Sequence, residues 1–232
     1  MLRFLEDWAR GRGRTKVGGY CWDGSPGEAF AAHHGYPRLF QSVNRRQHLD
    51  EVSPDRVREL HAAALRAAED YEVLHVGGRT PADLLEDVAR MAEAINDAPL
   101  DDLDIEDEVF TAERVAAYES AQLQGGKRLY RGIARHRDTG ELAGNTVVAV
   151  EAERPGVGHQ HDTSVVRAHR GHRLGLLLKT DMMLWLAEAE PALRTVDTFN
   201  AESNDHMIAV NEELGYRWMG RGLGFQRSLE RA

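Results

Sequence analysis

The chain holds one cysteine, Cys21, among 232 residues. That excludes an internal disulfide and cysteine-rich metal sites, and it suits a reducing compartment. No Gly-Lys-Ser/Thr ending occurs, so a Walker-type nucleotide loop is excluded, and no Gly-x-Gly-x-x-Gly occurs, so a Rossmann turn is excluded too. No apolar run approaches the ~18 residues of a membrane span. The first ten residues carry Arg3, Glu6, Asp7 and Arg10, unlike a secretory signal. Basic residues are outnumbered, 29 Lys and Arg against 38 Asp and Glu, and the net charge of −9 argues against non-specific nucleic-acid binding. A cytoplasmic protein without membrane or nucleic-acid partners is expected.

What is present begins with composition. Hydrophobic residues make up 42% of the chain, enough for a packed core, and the length is long for one average domain yet short for two. Against the acidic background one stretch reverses the charge: Arg167, His169, Arg170, His172 and Arg173 fall within seven residues. The β-branched pair Val165-Val166 runs into this loop, and an apolar helix opens at Leu174. Leu174, Leu176, Leu177, Leu178, Met182, Met183, Leu184, Trp185 and Leu186 make that helix apolar almost all round, hence buried. A strand, a cationic glycine-containing turn and a helix N-terminus together form an anion site. Free first-turn N–H groups and about half a positive charge from the macrodipole add to the arginines.

Arg170-Gly171-His172-Arg173-Leu174-Gly175 resembles the acetyl-CoA signature of the GNAT acyltransferase superfamily, a Gln/Arg-x-x-Gly-x-Gly/Ala loop after the fourth strand. It departs once, with Arg173 where the first motif glycine would stand, so this loop works without that glycine's freedom. Downstream, a strand Thr195–Asn200 leads through Asn200-Ala201-Glu202-Ser203-Asn204 into a helix closing at Leu214-Gly215-Tyr216, similar to the second half of that fold. His169–Lys179 with Asn200–Tyr216 most resembles actinobacterial tandem-GNAT proteins. The resemblance implies an α/β GNAT fold, a mixed and mostly antiparallel sheet flanked by helices. It implies acetyl-CoA as acyl donor, no metal, and a small-molecule or peptide amine as acceptor. The cofactor-binding residues it implies are Val165, Arg170, Gly171, His172, Arg173, Leu174, Gly175, Asn204 and Asn211. Seven residues apart, Asn204 and Asn211 are expected on one helix face. Relatives often hold a proton-donating Tyr at the position of Asn211, which Asn211 cannot replace.

The first fifty residues echo the last fifty. Arg14-Thr15 recurs as Arg194-Thr195 and Gly35-Tyr36 as Gly215-Tyr216, both at one offset (215 − 35 = 180). Residues 1–50 thus read as the tail of a preceding, degenerate GNAT unit and residues 51–232 as a complete one. Such a tail adds to the C-terminal domain, pairs with another copy in a homodimer, or belongs to a longer protein. If it continues a sheet, Phe30, Tyr36 and Phe40 should be mostly buried. Within 51–232 the pattern predicts a helix near Pro54–Tyr71, a strand Tyr71–Val76, a helix N-capped by Thr80 with Pro81 in its first turn, and a helix from Thr111 to about Gln124. Strands follow at Leu129–His136, Leu142–Glu151 and Gln160–Val166.

Acyl transfer to an amine needs a held donor, a base and stabilisation of the developing oxyanion. Bases are offered by His159, His161 and Asp162 before the cationic loop and by Glu202 beyond the neighbouring strand. Similar tandem sequences carry Gln-x-Asp-Thr-x-Val, matched by Gln160, Asp162, Thr163 and Val165, which favours Asp162; Glu202 is the second catalytic candidate. The competing roles are a strand-backbone or arginine partner for Asp162, a helix-start charge for Glu202, and core packing for Tyr216. His159, His161 and His169 lack a carboxylate on the same element, against a metal site. Between Asp97 and Glu108 lie seven carboxylates in twelve residues: either a solvated loop or, as the resemblance implies, an acceptor-pocket wall attracting a cationic amine.

Overall fold

Eight strands form one sheet in the order β1-β8-β2-β7-β6-β5-β4-β3. The computed structural model describes residues 1–229. The strands are β1 (Lys16–Trp22), β2 (Arg38–His48), β3 (Tyr71–Gly77), β4 (Lys127–His136), β5 (Leu142–Glu151), β6 (Val157–Val165), β7 (Thr195–Ala201) and β8 (Arg217–Ser228). The helices are α1 (Leu2–Arg10), α2 (Pro26–His33), α3 (Pro54–Ala67), α4 (Leu85–Ala92), α5 (Ala112–Gln124), α6 (Leu174–Ala189) and α7 (Asp205–Glu213). All neighbouring strands are antiparallel except β6 and β7.

Local chemistry sets most element ends. Ser53 caps α3 by accepting the Arg56 N–H at 3.4 Å, and Pro54 fills the first position, where no N–H is needed. Thr111 caps α5 the same way, 3.2 Å from the Arg114 N–H. Thr80 does not cap: α4 begins only at Leu85, after a turn. Its hydroxyl instead donates to the buried Glu119 carboxylate at 2.5 Å, a charge-assisted bond that outweighs capping.

Helices cover both faces of the sheet. On one, Leu177 and Leu178 of α6 pack with Leu60 and Ala64 of α3 over Val148 and Val150. On the other, Val88 and Met91 of α4 and Val115 of α5 pack over Ile133. Among the described residues no helix is long and apolar enough to cross a membrane.

The first fifty residues are woven into this sheet. β2 lies between β7 and β8, so the last two strands of the chain never touch each other. The order α1-β1-α2-β2 repeats as α6-β7-α7-β8, and the central β2–β8 pair carries one bulge on each strand. Leu39 is the extra residue in β2 and Met219 the extra residue in β8, equivalent positions in the repeat (219 − 39 = 180). The sheet is therefore pseudo-symmetric about the β2–β8 pair. Tyr36 is 6% exposed and its hydroxyl donates to Glu6 at 2.7 Å, while Phe40 is half-buried. Phe30 departs from expectation at 52% exposed: it sits on the outer face of α2 against the His34 ring, away from the Ala31–Leu223–Phe225 cluster.

Deleting residues 1–50 should abolish cooperative unfolding, because β7 and β8 lose their shared neighbour and expose apolar surface at roughly 25 cal/mol per Å². A soluble 51–232 chain with a sharp melting transition would contradict this. A second expectation concerns Lys179 on α6, which is 3% exposed. Its Nζ has Gln160 Oε1 at 3.4 Å and the Tyr216 ring centroid at 4.7 Å. Burial pulls its ammonium down to about 7. Between that value and the ordinary one, only the unfolded chain binds the proton. Stability should therefore rise from pH 7 towards pH 10. Lys179→Met should raise stability at pH 7 by about 1–4 kcal/mol and flatten that rise; denaturant titrations at both pH values measure it.

Candidate functional site

The one parallel pairing in the sheet is short. β6 and β7 meet over Val157–His159 and Thr195–Asp197, then run on to Val165 and Ala201 without pairing. Between them opens a cleft of about 750 Å³, lined by Thr163–Val165, the start of α6, and Asn204, Met207 and Val210 from the α7 side. The first-turn N–H groups of α6, on Leu174, Gly175 and Leu176, have no partners further back in the helix. Arg173, at the N-cap, has φ 55°, a left-handed conformation that costs a residue with a Cβ about 1–2 kcal/mol and glycine almost nothing. Arg170 donates through Nε to the Val165 carbonyl at 3.1 Å and through Nη2 to Asp97 at 2.6 Å. Arg173 stands 3.8 Å from Glu213. Both arginines line the cleft, each beside a carboxylate that also lines it.

Val165, Arg170, Gly171, Arg173, Leu174, Gly175 and Asn204 all come together on the cleft wall. His172 does not: its ring packs against Tyr71, 5.4 Å between centroids. Asn204 and Asn211 do not share a face, because Asn204 precedes the helix as its N-cap and accepts the Met207 N–H at 3.2 Å. Asn211 is fully buried in the core, donating to Asn200 Oδ1 at 2.7 Å, with its own Oδ1 unpartnered. Glu202 accepts from Arg221 at 2.6 Å and lines a separate depression with Asp101 and Asp102. It is thus not brought together with Asp162.

Asp162 owes its place to a bulge. Thr146 pairs with Thr163 and Val148 with Gln160, so His161 and Asp162 together oppose Val147 alone. Such a bulge breaks the ladder locally and re-aims a side chain. Asp162 lines a second cavity of about 210 Å³ on the α4–α5 face, with Glu108, Phe110, Arg114, Tyr118 and Arg131. Ser164 lines both cavities. Asp162 is open to water through its cavity yet crowded by protein, and this desolvation with the nearby Glu108 charge raises its carboxyl, against the pull of Arg131. Tyr118 is pushed up to about 12 by burial and by Asp162. Burial depresses His161 to about 4, so near neutral pH it is uncharged, and its Nδ1 and the Tyr118 hydroxyl share a hydrogen bond. His159 faces elsewhere and binds Glu151 at 2.8 Å.

Sequence reasoning missed Tyr118 and Arg131, whereas Glu108 belongs to the acidic stretch it offered as a pocket wall. Arg131 left a signal: it alternates with Leu129 and Ile133 on an inward strand face where a charge needs a purpose. The acidic stretch is not simply solvated. Asp97 borders the cleft and Glu108 the small cavity, while Asp101 accepts from the Gln41 N–H at 3.3 Å and from Ser203 at 2.6 Å. Among the described residues, no group of three or more His, Cys, Asp or Glu side chains could hold a metal ion.

Solved structures share this architecture. A tandem GNAT protein from the clavulanic acid biosynthesis pathway, solved without AcCoA, superposes with a TM-score of 0.74 at 27% identity, over 98% of this chain and 68% of its own. The chain has the GNAT fold. GCN5-related N-acetyltransferases of Sphaerobacter thermophilus and Kribbella flavida give TM-scores of 0.65 and 0.57 at 15% and 13% identity. They cover 98% and 97% of this chain and 66% and 73% of their own. This chain thus spans about two thirds of the length of the first two neighbours. No family model and no curated protein matches the sequence. In this GNAT-fold chain Arg170 and Arg173 bring two cations to the cleft wall. Arg170→Glu with Arg173→Glu should lower its affinity for inorganic pyrophosphate roughly 100-fold or more, at about 1.5–3 kcal/mol per charge-assisted contact. Calorimetry on the folded double variant checks this; unchanged affinity would move the anion site elsewhere.

Proposed function

We propose that this chain transfers an acetyl group from acetyl-CoA to an amine by direct attack. One observation carries the reading: a single strand, β6, borders both an anion-binding cleft and a small cavity holding a carboxylate, with Ser164 on the wall of each. The cleft suits the donor, since the α6 first turn with Arg170 and Arg173 offers phosphate contacts and unpaired β6 offers backbone groups to an amide-bearing arm. In this reading residues 1–50 are the trailing half of a GNAT unit, and β2 holds β7 in place from outside. The single free Cys21 suits a cytoplasmic setting.

The donor supplies an activated acyl carbon: the amine nitrogen bonds to it as the carbon–sulfur bond breaks, and the thiolate leaves with the electron pair. Asp162 takes the proton from the acceptor ammonium. Its carboxyl, raised by desolvation and by the Glu108 charge, is a stronger base than an ordinary aspartate. Glu202, tied to Arg221, takes no part. Asn211 lies in the core and gives no proton to the thiolate. A thiol near pKa ~8.5 leaves unprotonated, or through water, at a cost of about one or two kcal/mol at neutral pH. That burial of Asn211 is also what favours the second reading, a catalytically silent acyl-CoA-binding module.

Thioester consumption across an amine panel separates the two readings. Asp162→Asn should lower kcat by about 10²–10⁴ while acetyl-CoA affinity stays within a factor of about two. The wild-type rate should fall as pH drops through the Asp162 titration, above the ordinary carboxylate range. Full activity of Asp162→Asn would leave positioning alone as the mechanism. Tight acetyl-CoA binding without turnover would favour the silent module.

A further inference from the structure

The small cavity beside β6 carries charges of both signs. Arg131 rises from β4 and is 7% exposed. Its guanidinium donates to Asn145 Oδ1 at 2.7 Å and to Glu119 Oε1 at 3.2 Å. Glu119 balances its charge, but the same carboxylate also accepts from the Thr80 N–H at 2.8 Å and the Thr80 hydroxyl at 2.5 Å, so it takes up only one of the guanidinium donors. Of the five N–H donors of Arg131, those beyond these two contacts have no protein acceptor among the described residues. Asp162 lines the same cavity with no ion-pair partner within 4.0 Å among the described residues. The other two charges there, Arg114 and Glu108, are spent on each other.

Unspent guanidinium donors and an open carboxylate in one small cavity suit a ligand that carries both an anionic acceptor and a cation. A simple alkylamine would satisfy Asp162 and leave the Arg131 donors facing apolar groups, a desolvation cost without return. Phe110, Val115 and Val147 supply apolar wall between the charges. At about 210 Å³ the cavity admits a molecule of few heavy atoms and excludes a folded protein surface. We propose that the acceptor is a small zwitterion, an amino acid whose ammonium faces Asp162 and whose carboxylate is held by Arg131. Its place as acceptor rests on the acyl-transfer reading; its binding to the cavity does not. Arg131 is then the specificity-determining residue: it anchors the carboxylate, and so orients the amine on the Ser164 side where cavity and cleft share a wall.

The test uses the protein amino acids, β-alanine and γ-aminobutyrate, each beside its carboxamide and its decarboxylated amine. Thioester consumption should favour the free acids by about 100-fold or more in kcat/KM, because the capped analogues lose the charge-assisted bonds to the remaining Arg131 donors. Arg131→Lys should erase most of that preference, and so should Arg131→Gln with Glu119→Gln, which removes both buried charges together. Acetyl-CoA affinity should stay unchanged in both variants. Decarboxylated amines consumed as fast as the acids would overturn the zwitterion while leaving acyl transfer standing. If acetyl-CoA fails to bind, the acyl-transfer reading falls, and the cavity is read by calorimetry with the amino acids alone. Binding of a free acid that is lost in its carboxamide supports the site, and no binding by any of them overturns it.

Discussion

The molecule depends on two parallel strands that pair over only three residues and then part. A strand pair that zipped to its end would satisfy its own backbone groups and leave no cleft. Here β2 holds β7 along its outer edge from Ser42 to His48, so β7 keeps its place in the sheet without β6. Just past the last paired residue of β6, Gln160 meets the buried Lys179, whose ammonium lies over the Tyr216 ring. Gln160 also donates to Thr146 Oγ1 and to the Val147 carbonyl, which fixes β6 just before it bulges. A buried lysine is an expensive wedge, offset only in part by a carbonyl and a ring face. Opening the sheet and lowering the stability of the core are the same structural choice.

The bulge that follows divides the labour of β6. Before it, the strand belongs to the sheet; within it, Asp162 is turned to the α4–α5 face; after it, Thr163 and Val165 line the cleft with Ser164. One strand with one extra residue is therefore wall to both cavities, which meet at Ser164.

The second half of the fold was legible because its signals are local. A cationic turn before an all-apolar helix and an Asn-capped helix after a short strand each follow from a few adjacent residues. The repeat was visible as two dipeptides, but its consequence was not, since nothing in residues 38–48 says that the strand inserts between β7 and β8. That pairing spans about 150 residues of sequence or more and is decided by packing. Asn211 misled for a related reason: spacing along a helix predicts a shared face only if both residues are in the helix, and Asn204 stops one position short. Arg131 and Tyr118 come from elements far from the motif, and only tertiary packing sets them opposite Asp162.

The acidic loop shows why the first fifty residues bear on chemistry as well as stability. From Asp97 to Asp104 it crosses from the turn before α6 to the inserted strands: Asp97 to Arg170, the Asp102 N–H to the Leu39 carbonyl at 3.0 Å, and Asp104 to Lys16 and Gln226. Leu39 is the bulged residue of β2, so its carbonyl is free of the ladder and available to the loop. A change at Leu39 that closed the bulge would withdraw that acceptor and loosen the loop at its middle. Asp97 would then hold Arg170 less firmly, and the anion site would feel a substitution in a strand that never touches it. The pseudo-symmetry of the sheet thus reaches the site through one unpaired carbonyl. Among the described residues no loop backbone bonds to the equivalent bulge at Met219, so the two halves of the repeat differ in this support.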